Sequence, residues 1–83
     1  MGRKEKLIER LKSYPKDFTF DEMRTALEGL GFIMDNKGKT SGSRVQFVRG
    51  SIKIILHKPH PRKELSRHQI EFVLEILEME NLI

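Results

Sequence analysis

Apolar residues recur along this chain with two different periods, and the changes of period divide it into elements. In Arg3–Ser13, Leu7, Ile8 and Leu11 fall on one helical stripe among mostly charged neighbours. The Tyr14-Pro15 step predicts the end of that helix, because a residue before proline avoids the α region. Thr19-Phe20-Asp21-Glu22 then reads as a capping box, with Phe20, Met23, Ala26, Leu27 and Leu30 sharing one face behind it. Gly31 supplies the left-handed stop.

Strand-like segments follow. Phe32–Asn36 predicts a first strand, ending in the turn-rich run Asn36-Lys37-Gly38-Lys39-Thr40-Ser41-Gly42. Ser43–Arg49 and Ile52–His57 flank Gly50-Ser51, and Gly followed by Ser suits a two-residue II′ hairpin turn. That turn sets the register: Val45 opposite Leu56, Phe47 opposite Ile54 and Arg49 opposite Ile52, on the face that meets the helices. The other face carries Arg44 opposite His57, Gln46 opposite Ile55 and Val48 opposite Lys53. Opposed side chains have Cβ atoms about 4.5–5.5 Å apart, so a cation and an imidazole are expected side by side. Lys58-Pro59-His60-Pro61 cannot continue the strand. Ser66-Arg67-His68-Gln69 predicts a second capping box opening a last helix, whose stripe is Ile70, Val73, Leu74 and Leu77. Phe72, Ile76 and Met79 widen its apolar surface, which is compatible with a homodimer. The expected fold class is α+β, with helices on one face of a three-stranded antiparallel sheet.

Composition narrows the picture. Eighty-three residues, 37% hydrophobic and 34% charged, predict a single domain over 1–83 with one small core. With no Cys, neither disulfides nor a thiolate zinc site is available. No apolar run is of membrane-spanning length, and no signal-like stretch follows Met1–Lys6, so no membrane contact and a cytoplasmic location are expected. The formal charge of +4 is uneven. Residues 37–68 hold nine cations against Glu64 alone, a net +8, whereas residues 69–83 hold four Glu and no cation. Such concentration predicts an anionic partner, with nucleic acid the expected one.

Most enzyme chemistries find little support. His57-x-x-His60 has metal-ligand spacing, but a catalytic site needs about three protein ligands, so no metal or cofactor is expected. No Ser-His-acid pattern stands out. Gly38-Lys39-Thr40 resembles the end of a phosphate-binding P-loop, yet Ile33 stands where the first Gly is required. RNA cleavage differs, because the substrate carries its own nucleophile in the 2′-hydroxyl. An imidazole suits the proton transfers, and Arg or Lys suits the charge on the phosphorane. His57, His60, Arg44 and Lys58 are the right types in one region. Residue types and spacing alone favour the plainer reading, in which both histidines end a strand and fill a loop.

Three blocks add to this. Leu27-x-x-Leu30-Gly31-Phe32, Thr40-Ser41-Gly42-Ser43-Arg44-x-x-Phe47 and His57-x-Pro59-His60-Pro61-x-Lys63-Glu64-Leu65 together resemble a HicA toxin. The resemblance covers about Phe20–Met79 and leaves the helix over residues 3–13 as an N-terminal addition. It implies a fold like a double-stranded-RNA-binding domain, metal-independent cleavage of mRNA as a ribosome-independent interferase, and neutralisation by a HicB-like antitoxin. HicA proteins usually have Gly-Ser-His at the second strand, that His being catalytic, whereas here Gly42-Ser43 precedes Arg44. Arginine stays protonated near neutral pH and cannot inherit a general-base role. The expected catalytic residues are therefore His57 or His60, with Arg44 as phosphate clamp. Lys37, Lys39, Ser43, Lys53, Lys58, Arg62 and Lys63 are the expected RNA-binding positions. A non-catalytic RNA-binding module of the same fold is the alternative reading.

Overall fold

In a computed structural model, which describes residues 3–35, 44–59 and 63–83, the predicted elements all form. α1 (Arg3–Lys12) turns Leu11 fully inward and leaves Leu7 and Ile8 half-buried. It ends at Tyr14, whose φ of 54° is left-handed, and Pro15 behind it has no amide to extend the helix. α2 (Phe20–Gly29) starts from a complete capping box: Thr19 Oγ1 accepts from the Glu22 amide, and the Glu22 carboxylate accepts from the Thr19 amide. It stops in a Schellman turn, with the Gly31 and Phe32 amides donating to the Glu28 and Leu27 carbonyls. Gly31 has a φ of 95°, the conformation the sequence reading required.

β1 (Ile33–Asp35), β2 (Arg44–Arg49) and β3 (Ile52–His57) form an antiparallel sheet in sequence order. The hairpin register is the expected one at every position from Arg44↔His57 to Arg49↔Ile52. Gly50 takes a φ of 59°, as the first position of a II′ turn demands. Ile33, Met34 and Asp35 pair with Val48, Phe47 and Gln46. α3 (Arg67–Met79) closes in a second Schellman turn through Asn81, at a φ of 58°.

The core lies between the helices and one face of the sheet. Val45, Phe47, Ile54 and Leu56 are buried there with Leu11, Phe18, Met23, Leu27, Ile70, Val73 and Leu77. Phe20 and Phe47 meet with ring centroids 6.2 Å apart. The other face is not covered. It carries Arg44, Lys53, Ile55 and His57 exposed, with Ile33 as much as 71% accessible. On α3, Phe72 and Met79 remain outside the core, while Ile76 packs half-buried against it.

The loop after β3 returns to the start of α2. Residues 63–65 run antiparallel to 18–20 through a Thr19↔Glu64 bridge: the Phe20 amide donates to the Lys63 carbonyl, and the Leu65 amide to the Phe18 carbonyl. This short pairing gives an early α2 amide a partner it would otherwise lack.

Candidate nucleic-acid interface

β2 begins and β3 ends at the same corner of the uncovered face. Alternation sends Arg44 and His57 to that face, and the two-residue turn at the far end of the hairpin sets them opposite each other. Lys53 lies on the same face, opposite Val48. A guanidinium, an imidazole and an ammonium thus project from one surface, with Gln46 and Ile55 between them.

Lys58 follows His57, so alternation sends it the other way, toward the helices. Its Nζ sits 5.7 Å from the Phe20 ring centre, a cation–π contact at the N-terminal end of α2. Lys58 and Lys63 line one groove with Thr19, Phe20, Asp21 and Pro59. The expected site residues therefore divide into two groups around the edge of β3: Arg44, Lys53 and His57 on the sheet face, Lys58 and Lys63 beside α2. Lys37, Lys39, Ser43, His60 and Arg62 lie outside the described residues.

Two features escaped the sequence reading. The Phe20 face that receives Lys58 carries no local sequence signal beyond an aromatic at the start of α2. Gln69 is the second, and here an expectation is corrected. Ser66 Oγ accepts from the Gln69 amide at 3.3 Å, which is half of the predicted capping box. The Gln69 side chain does not complete the box. Its Oε1 accepts from the His57 amide at 2.7 Å, and its Nε2 donates to the His57 carbonyl at 3.2 Å. A backbone edge twelve residues away wins over the local amide because it offers a donor and an acceptor together, matching both ends of a carboxamide.

Among the described residues, no group of three or more His, Cys, Asp or Glu could hold a metal ion. No helix among them is long and apolar enough to cross a membrane. What the corner can do chemically is grip an anion with Arg44 while an imidazole stands beside it, able to take or give a proton. Comparison with curated proteins and with solved structures gives no match. Residues 20–79 match a family model described as the HicA toxin of bacterial toxin–antitoxin systems.

Proposed function

Because the chain belongs to the HicA toxin family, a membership that implies an antitoxin partner, we propose that it is an endoribonuclease that cleaves mRNA. The observation that carries this reading is the cross-strand pair of Arg44 and His57 on the uncovered sheet face. Cleavage needs a base for the 2′-hydroxyl and positive charge on the phosphate, and the pair supplies one of each. His57 removes the 2′-hydroxyl proton as the 2′-oxygen attacks phosphorus. Arg44 holds the non-bridging oxygens while negative charge builds on them. The P–O5′ bond then breaks, the 5′-oxygen takes up a proton, and a 2′,3′-cyclic phosphate and a 5′-hydroxyl result. No step in this scheme calls for a metal. His60, within the family-like His-Pro block, is the alternative imidazole.

Lys53 on the sheet face and Lys58 and Lys63 in the groove beside α2 serve as backbone contacts, which position RNA without reading its sequence. Lys37, Lys39, Ser43 and Arg62 belong to the same basic stretch and are proposed for the same role. A HicB-like antitoxin neutralises the toxin by covering this basic surface.

A labelled mRNA incubated with the protein in EDTA tests the reading. The wild-type chain is expected to fragment it, and His57→Ala to leave it intact. His57→Ala cutting at the wild-type rate moves the base to another residue, with His60→Ala as the next variant. Arg44 at the usual catalytic-His position favours a second reading, a module that binds RNA without cutting it. That reading predicts retarded but unbroken RNA, with affinity falling as salt rises.

A further inference from the structure

The Arg44–His57 pair sits where a β-hairpin holds itself least well. In an antiparallel ladder, opposed residues alternate between pairs that exchange both backbone hydrogen bonds and pairs that exchange none. A two-residue turn closes on a bonded pair, here Arg49 and Ile52. Counting away from the turn, Phe47–Ile54 and Val45–Leu56 are bonded. Val48–Lys53, Gln46–Ile55 and Arg44–His57 are not. The amide and carbonyl of His57 therefore point away from β2, to the outer edge of the sheet, and β3 ends at this residue. The last pair of the hairpin has no ladder bonds of its own.

Gln69 meets both outward groups, at 2.7 and 3.2 Å, from the first turn of α3. Its backbone is fixed by the Ser66 cap, and Ile70, Val73 and Leu74 seat the helix in the core. The side chain of half-buried Gln69 thus ties the end of β3 to a rigid element. We propose that Gln69 is a positioning residue for His57, its carboxamide holding the end of β3 so that the imidazole stays opposite Arg44. This role rests on the reading of Arg44 and His57 as the cleavage site. It touches neither substrate nor reacting atoms and acts only through the backbone of His57. A non-bonded pair brings side chains closer than a bonded one, which suits a base and a phosphate clamp working on a single linkage. The same geometry leaves that pair dependent on an outside support.

The test uses the full chain with Gln69→Met, which keeps length and helix propensity but removes both hydrogen bonds. The expected result is a kcat for RNA cleavage lowered roughly 10- to 100-fold with KM unchanged, the signature of a misplaced reacting group. Thermal unfolding of the variant normalises for folded protein. By NMR, the Hα–Hα contact between Arg44 and His57, diagnostic of a non-bonded antiparallel pair, is expected to be lost. The corresponding contacts of Gln46–Ile55 and Val48–Lys53 persist as internal controls. Gln69→Glu retains the acceptor for the His57 amide and suits the third helical position, so it falls between wild type and Gln69→Met; should Gln69→Met fail to fold, this variant carries the test. Wild-type kcat in Gln69→Met, or an intact Arg44–His57 contact there, overturns the proposal while an inactive His57→Ala leaves the cleavage site standing. A wild-type chain that cuts no RNA overturns the site and this role with it.

Discussion

Much of the polar organisation at residue scale gathers around Glu22. Its carboxylate accepts from the Thr19 amide at 3.0 Å and the Thr19 hydroxyl at 3.2 Å, and pairs with Arg10. Arg10 also pairs with Asp17 at 2.7 Å and lies 5.4 Å from the Phe18 ring centre. Partial burial pushes the Glu22 carboxyl up. The Thr19 amide and Arg10 outweigh it and hold the group below its ordinary value of 4.5. The hydrogen bond to Glu22 raises Arg10 in turn, against the cost of its own burial. A carboxylate lowered in the folded state adds stability that is present above its unfolded value and is lost as pH falls through the folded one. Glu22→Gln keeps an acceptor for the cap but loses the charge. Its stability deficit against wild type is therefore expected to be largest above about pH 4.5 and to shrink below it. Thermal unfolding of both proteins across that range measures this, and a deficit that does not change with pH refutes it.

At the scale of elements, the sequence is legible wherever a signal is local. Thr19 and Glu22 marked the start of α2, Gly31 its end, and Gly50-Ser51 the hairpin with all of its partners. The strand alternation placed Phe47 inward, and it is fully buried against Phe20. Phe47→Ala is expected to cost about 3–5 kcal/mol, because the surrounding helices and strands cannot close over the space. Equilibrium chemical denaturation measures the loss, and a value below about 1 kcal/mol contradicts this core face. Periodicity placed the buried stripe of α3 correctly, at Ile70, Val73, Leu74 and Leu77. The surplus apolar residues Phe72 and Met79 are 44% and 73% exposed, since a helix packed in a single layer on one sheet face buries one stripe only. The left-handed turn at Tyr14 followed from Pro15 only in outline. Its neighbour across the fold, the Arg67 guanidinium 5.7 Å from the Tyr14 ring, has no signature in either segment.

The whole molecule adds an uneven charge distribution to this frame. The net charge of +4 hides a net +8 between residues 37 and 68 and an acidic stretch after it. Its exposed cations Arg44 and Lys53 share the sheet face with His57. For single-stranded RNA the logarithm of the affinity is expected to fall with the logarithm of salt, by about 0.7 per phosphate neutralised. Lys53→Ala should reduce that slope by about 0.7 if Lys53 contacts one phosphate, as filter binding across a salt series would reveal. An unchanged slope removes Lys53 from the interface. The N-terminal α1 lies outside the family match over residues 20–79, yet Leu11 belongs to the buried core and Arg10 reaches the cap of α2. The addition is structurally continuous with the family portion.

By itself the sequence determined the elements, the capping box and glycine stop of α2, and the hairpin register, and through that register the meeting of Arg44 with His57. All of these are decided within a few residues, by backbone preferences at turns and by the alternation of side chains. The tertiary structure decided what such rules cannot reach. It chose His57 rather than Ser66 as the partner of the Gln69 side chain. It sent Lys58 onto Phe20, and it brought residues 63–65 against 18–20. Each of these is a competition between a near partner and a distant one. Spacing along the chain specifies only the near one, and the packing of α2 and α3 against the sheet brings the other within reach.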